Sequence, residues 1–206
     1  MKKIFLLSCL AIAFIFSTNA SFEIRGGLYV SAAPDTAVDM FGSGVFVGGS
    51  VRTEIFPMVK IGISVDRVFM FQSGLEDSDL NDDIIEMYVD DYSNRFDVEY
   101  AMMPICLEGM IDLPGIYGVA GIGIYPSWVS IKEVNTDIFT GEDTETEIYS
   151  KADTKFGSYF GGGIHFNVDG VELRLGFRYH VLKIDQTVTE NTISAFSGEV
   201  GMEFTF

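Results

Sequence analysis

Cysteine is nearly absent from this chain. Cys9 sits in an N-terminal apolar run and Cys106 is the only other, so once that run is removed no intrachain disulfide can form, which excludes a small disulfide scaffold. Basic residues are scarce as well, 13 against 30 acids for a net charge of −17, which excludes nucleic acid as a partner because phosphate binding needs Lys and Arg patches. No apolar run reaches the ~20 residues of a membrane helix, and beyond residue 20 no stretch has the apolar spacing of an amphipathic helix. A local Ser-His spacing is also missing. His165 is expected to point inward near a short turn, His180 shares its face with Arg174 and Arg178, and neither has a serine beside it, so no activated nucleophile, and with it no enzyme activity and no cofactor, is expected.

The N-terminus reads as a signal peptide. Met1-Lys2-Lys3 is positive, Ile4 to Phe16 is apolar apart from Ser8 and Cys9, and Ser17-Thr18-Asn19-Ala20 ends in small residues suited to cleavage. Cys9 lies inside the apolar run and not after it, which argues against a lipoprotein acceptor site. The expected division is a signal peptide over 1–20 and a single domain over 21–206, and removing 20 of 206 residues leaves 186 with a charge of −19.

That domain alternates with period two, the spacing of half-buried strands. Eight strands are predicted. The first, near 22–32, sets Phe22, Ile24, Leu28 and Val30 against Glu23, Arg25 and Tyr29, and the second, near 44–55, sets Val45, Val47 and Val51 against Phe46, Ser50, Arg52 and Glu54. The third begins with Ile61, Ile63 and Val65, but its register turns Arg67 outward, so either the pairing shifts or Arg67 snorkels to a membrane rim. The fourth spans about 96–113. Its apolar row is Phe96, Val98, Tyr100 and Met102, facing away from Asp97 and Glu99, and past Pro104 it becomes Ile105, Leu107 and Ile111, which suggests a parity switch at a bulge. The fifth, about 116–131, is too glycine-rich for its faces to be assigned. Segments Phe156–Phe166 and Val171–Val181 form a hairpin around Asp169-Gly170, with Leu175 toward lipid and Gly176 toward the lumen, so Leu175→Arg is expected to destabilise far more than Gly176→Ser. The eighth is Phe196–Phe206, with Phe196, Val200, Met202, Phe204 and Phe206 opposite Ser197, Glu199 and Glu203.

The connections alternate in length. Long ones are expected at 33–43, 72–95, 132–155 and 184–193, and tight turns at 56–59, 112–115 and 168–170, which is the pattern of outer-membrane barrels with long loops outside and, for an even strand count, both termini in the periplasm. A soluble lipocalin-type barrel shares the strand count but puts charge outside, and the aromatic final strand and the alternating loops favour the membrane arrangement. Among the 18 Phe and 9 Tyr, Phe22, Phe56, Tyr117, Phe166, Phe204 and Phe206 suit a periplasmic aromatic girdle, and Trp128, Tyr125 and Phe71 an outer one.

The run Met103-Pro-Ile-Cys-Leu-Glu-Gly-Met, followed by Gly115-Ile-Tyr-Gly-Val-Ala-Gly-Ile-Gly-Ile-Tyr125, resembles the central hairpin of the OmpA/OmpX/opacity-like outer-membrane β-barrel superfamily, and Val200, Met202, Phe204 and Phe206 resemble that group's C-terminal assembly signal. The resemblance implies an all-β, eight-stranded antiparallel up-and-down transmembrane barrel in the bacterial outer membrane. Outer-membrane lipid surrounds it and the barrel-assembly machinery reads its last strand. It is nearly silent about activity.

On that fold Glu23, Arg25, Arg52, Glu54, Glu99, Glu108, Glu172, Arg174, Arg178, His180, Glu199 and Glu203 point into a lumen just wide enough for side chains to fill, where they are expected to pair. The two longest loops carry 15 of the 30 acids. Asp77, Asp79, Asn81, Asp82 and Asp83 begin like a calcium loop, but Asp82 stands where glycine is required and Tyr88 where the bidentate glutamate belongs, so no specific metal site is expected and the loops are read as solvated charge that attracts divalent cations or cationic ligands. These features describe a monomeric structural or surface-interaction protein. The competing reading is a channel for small solutes or hydrophobic compounds of the OmpW type, and a lipid-modifying enzyme ranks below both.

Overall fold

The computed structural model describes residues 20–31, 43–75, 96–136, 143–183 and 192–206. Nine strands follow one another: β1 (Ala20–Ser31), β2 (Ser43–Phe56), β3 (Val59–Leu75), β4 (Phe96–Met102), β5 (Ile105–Leu113), β6 (Ile116–Thr136), β7 (Asp143–Val168), β8 (Val171–Lys183) and β9 (Thr192–Thr205). Each pairs antiparallel with its neighbour in the chain, except that β4 and β5 share one place, both lying between β3 and β6. The ring closes where β1 pairs with β9, from Ser21↔Thr205 to Ser31↔Ala195. Two halves of one interrupted strand therefore make an eight-stranded closed barrel, with no edge along this seam.

The tight turns fall where sequence places them, and their residues explain why. Asp169 and Gly170 both have positive φ, 52° and 88°, as a two-residue hairpin matching strand twist requires. The other two put proline first and a left-handed residue second, namely Pro114-Gly115 (φ 80°) and Pro57-Met58 (φ 67°). Met58 and Asp169 are thus the two residues bearing a Cβ in left-handed positions among the described residues.

Alternation along the strands sorts the side chains. Leu28, Val45, Val47, Leu107, Ile122, Phe160, Leu175, Phe177 and Val200 are exposed on the outer wall, while Glu23, Arg25, Arg52, Glu108, Arg174, Arg178, Glu199 and Glu203 are buried within. Both faces of the hairpin β7–β8 and of β9 are as expected. The faces of β6, unassignable by pattern, resolve with Tyr117, Val119 and Tyr125 inward and Ile116, Ile122 and Ile124 outward.

Several expectations are corrected. Pro104 marks a break in the strand but no change of parity, because Phe96, Val98, Tyr100 and Met102 above it and Cys106, Glu108 and Met110 below it are all buried. What changes at the break is the chemistry of the lumen, apolar above and charged below, and a pattern that equates apolar with outward misreads this as a slip. The wall stays stitched across the break, since Asp66 N donates to Pro104 O (3.1 Å) and Met103 N donates to Pro126 O (2.8 Å). At Arg67 the β2–β3 register runs on without a shift, Val47 facing Arg67, so the side chain is outward. Much of the predicted loop 132–155 is strand, paired from Lys132↔Glu147 to Thr136↔Asp143. Tyr117 and Tyr125 belong to the lumen and not to a girdle. Phe22, Phe56, Phe166 and Phe206 are exposed near the short turns and Trp128 outward on β6, while the Phe71 side chain lies outside the described residues.

Glycine makes room for the inward tyrosines. A Cβ on Gly121 would sit 2.5 Å from the Tyr159 ring, one on Gly157 2.6 Å from the Tyr125 ring, and one on Gly176 2.1 Å from the Tyr117 hydroxyl. The contact at Gly176 narrows the expected contrast with Leu175→Arg. Gly176→Ser should destabilise the barrel by about 1–3 kcal/mol through overpacking, whereas Gly109→Ser, with nothing within 4 Å of its Cβ, should be near neutral. Urea unfolding of the detergent-folded chain measures both.

Candidate functional site: the filled lumen and its rim

Inward positions on consecutive strands converge on one axis, so charges far apart in sequence meet. In the half nearest the short turns, Arg52 lies among three carboxylates, bonding Glu108 and Glu23 and reaching Glu203 at 2.9 Å. Arg25 pairs with Asp66 at 2.9 Å and lies 3.6 Å from Glu23 and 3.8 Å from Glu199. Arg178 pairs with Glu199 at 2.9 Å and stands 4.7 Å over the Tyr159 ring. At the mouth, Arg174 reaches Asp112 (2.9 Å), Glu203 (3.0 Å) and Glu172, and Lys60 reaches Asp112 (2.7 Å) and Glu203 (2.6 Å). Hydroxyls fill remaining acceptor sites: Tyr159 donates to Glu108, Tyr117 to Glu199 at 3.1 Å and Ser50 to Glu23 at 3.2 Å.

Of the twelve residues expected here, nine are buried in the lumen and Glu172 borders its mouth. Glu54 and Glu99 are corrections. Glu54 shares Arg52's parity but has passed beyond the mouth, where it accepts the Met58 N–H at 3.3 Å in the turn. Glu99 lies on the outer face of β4, because the apolar row beside it turns inward, and it binds Lys132 at 2.8 Å. The Glu99 hydrogen bond and charge, then Glu145, push the Lys132 ammonium above its ordinary value. Asp66, Lys60 and Asp112 were missed. Asp66 and Lys60 share parity with Gly62 and Ser64 on β3, and following that register through Arg67 would have found them. The run Asp77, Asp79, Asn81, Asp82, Asp83 lies outside the described residues.

Two arrangements invite a chemical reading. Ser197 Oγ is 3.2 Å from His180 Nε2, a pairing across β8 and β9 that local spacing hides. Both residues are buried, tyrosines 29, 125 and 159 surround the imidazole, and its Nδ1 meets no hydrogen-bond partner among the described residues, so the pair lacks both access and an orienting acid. At the mouth, Asp112, His165 and Glu172 bring one ligand atom each within 4.8 Å of one another. Arg174 already binds both carboxylates and Lys60 binds Asp112, so the protein's own cations hold the place a metal ion would need.

Above the charges the lumen is apolar. Phe46, Val68, Met70, Phe96, Val98, Met102, Val129 and Ile131 form one buried cluster. Charge inside and an apolar wall outside invert the soluble barrel and suit lipid. The chain is an eight-stranded transmembrane β-barrel. No family model matches it, and no curated protein matches it. Among solved structures, Neisserial surface protein A is similar at TM-score 0.45 and 12% identity, over 92% of this chain and 98% of its own. Ail, the attachment invasion locus protein of Yersinia pestis, solved with the heparin analogue sucrose octasulfate, is similar at TM-score 0.43 and 11% identity over 90% and 97%. The outer membrane protein OprG of Pseudomonas aeruginosa is similar at TM-score 0.47 and 9% identity over 91% and 97%. The assignment of this barrel rests on its own closure and polarity.

Arg52→Met should destabilise the barrel by about 3–5 kcal/mol, because three buried carboxylates lose their shared cation, with Arg52→Lys intermediate. Leu175→Arg should cost about 2–4 kcal/mol, as an arginine on the lipid face near mid-strand does, and Leu175→Phe little. The temperature at which the unboiled, faster- or slower-migrating gel band is lost ranks all four variants.

Proposed function

We propose that this protein is a bacterial outer-membrane barrel with a structural and surface-interaction role, its short turns and both termini in the periplasm and its long strands outside the cell. The observation that carries the reading is the filled lumen. Paired charges occupy one half and packed apolar side chains the other, so no solute path runs through the described residues. Backbone bonds cross the Pro104 break on both sides, which weighs against sideways exit there.

What the molecule offers to a partner is then its rim. β7 pairs with β8 only from Gly157 onward but with β6 as far as Asp143, so the β6–β7 hairpin extends ~45 Å along the strand past the last β8 pair. Glu145 and Glu147 are exposed there and Lys132 gathers Glu99 and Glu145. Divalent cations and cationic ligands suit this acidic hairpin. The outward Val200, Met202, Phe204 and Phe206 row is what the assembly machinery would read, and a single barrel surrounded by lipid is the working unit.

The test is a pair of measurements. In planar bilayers the intact barrel should show no conductance steps. A trimmed barrel, Ser130 joined to Ser150 by a two-residue turn, should keep its heat-shifted gel band yet lose most calorimetric binding of calcium or a polylysine peptide, with the wild-type signal fading as salt rises. Steady conductance of the wild type, or equal binding by both forms, would overturn the proposal.

A further inference from the structure

On the outer wall, Phe69 of β3, Ala101 of β4 and Trp128 of β6 lie in one row across the sheet, since Ala101 pairs with Phe69 on one side and with Trp128 on the other. A small residue thus floors a gap between two exposed aromatics whose strands stand about 10 Å apart, twice the strand spacing. In the next row toward the long strands, Glu99 pairs with Ser130 and Ser130 with Ser150. These residues line a groove of about 360 Å³, at the low end for small-molecule pockets.

Arg67 closes the end toward the short turns. Two residues before Phe69 on β3, it sets its guanidinium 5.0 Å from the Phe69 ring centroid and 4.6 Å from that of Trp128, and it takes no part in the lining. With strand rise and barrel tilt Arg67 stands roughly 20 Å above the turn before β3, near the far boundary of a ~25 Å apolar belt, so the groove opens beyond that belt. An acyl chain is shut out by this plug. The charges at the open end are already engaged, Glu99 by Lys132 at 2.8 Å and Glu147 by the Ser130 hydroxyl at 2.8 Å. Arg67 and Lys132 repel a cationic ligand, and Glu99 and Glu147 an anionic one, which leaves a neutral ligand.

We infer that this groove binds one neutral hexopyranose ring of an extracellular glycan, entering from the open end with its C–H face against Trp128 and Ala101 and its hydroxyls on Glu99, Ser130 and Ser150. A sugar ring has the two surfaces the groove asks for. Its C–H groups are weakly positive and suit the negative face of an aromatic, and its rim of hydroxyls suits a lip of hydroxyls and carboxylate. A carboxylate has about four acceptor positions, and Lys132 takes one of those on Glu99. The inference rests on the outward placement of the long strands proposed above.

Trp128 is the only tryptophan in the chain, so its emission reports this groove alone. The full barrel, folded in phosphocholine detergent that carries no sugar, is titrated with the methyl glycosides of glucose, galactose, mannose and N-acetylglucosamine, and with glycerol, glucosamine and glucuronate. A saturable change with at least one neutral glycoside is expected, about tenfold weaker in Glu99→Ala through loss of a charge-assisted hydrogen bond. Ala101→Phe, which fills the floor, should abolish it, and the heat-shifted gel band shows that each variant is folded; if one is not, the other still answers. No saturation with any neutral glycoside, an equal response to glycerol, tighter binding of glucosamine or glucuronate, or an unchanged midpoint in a folded variant overturns the inference. Calcium calorimetry on the same sample reads the acidic hairpin separately, so failure of the sugar titration alone strikes the groove and leaves the surface-interaction reading standing.

Discussion

Four arginines enclosed by a ring of strands depend on the carboxylates that share the space. In lipid there is no water on the outer wall to take up a stray charge, and an unpaired guanidinium in the lumen would cost several kcal/mol. The Arg52–Glu108, Arg52–Glu203, Arg25–Asp66 and Arg174–Asp112 pairs therefore tie together strands that are not neighbours in the sheet. Arg52 on β2 bonds Glu108 on β5 and Glu203 on β9, and Arg25 on β1 bonds Asp66 on β3. A slip of one residue in any strand would carry its charge into lipid and its apolar row inside. The backbone ladder closes the cylinder, and the charges hold its register.

The lumen has two chemistries because its two halves solve different problems. Near the short turns, lysine, histidine and acid meet at a mouth open to water, and charges can be matched across the narrow barrel. Toward the long strands, the cluster of Phe96, Val98, Met102, Val68 and Ile131 fills the space without needing partners. The junction lies where β4 gives way to β5. Glycines opposite Tyr117, Tyr125 and Tyr159 let large side chains lie across the axis, so a strand pair that looks featureless in sequence is shaped to its contents.

Strand number, short turns, final-strand faces and most inward charges were legible because each follows from a local rule. Asp169-Gly170 specifies its own turn, and Glu23/Arg25 or Glu199/Glu203 share a face whatever lies around them. The misreading of β4 has one cause. Phe96 to Met102 obey the same alternation as every other strand, but an apolar row says only that it avoids water, and an apolar lumen satisfies it as well as lipid does. An apolar-outward reading of β4 turns Glu99 inward for that reason, while Tyr117 and Tyr125 suit a girdle only by residue type, on a strand whose faces the pattern leaves open. The extension of β6 and β7 was hidden because Thr, Glu and Lys at 143–151 read as a solvated loop.

Alternation, turn residues and the inside-out distribution of charge are properties of single segments, and the sequence by itself determined from them that this chain forms a closed membrane barrel. Which carboxylate meets which arginine, that His180 reaches Ser197, and that Arg67 rests on Trp128 across Ala101 were decided only by tertiary structure. These contacts join residues on different strands, and their distances depend on the barrel's circumference, tilt and register together.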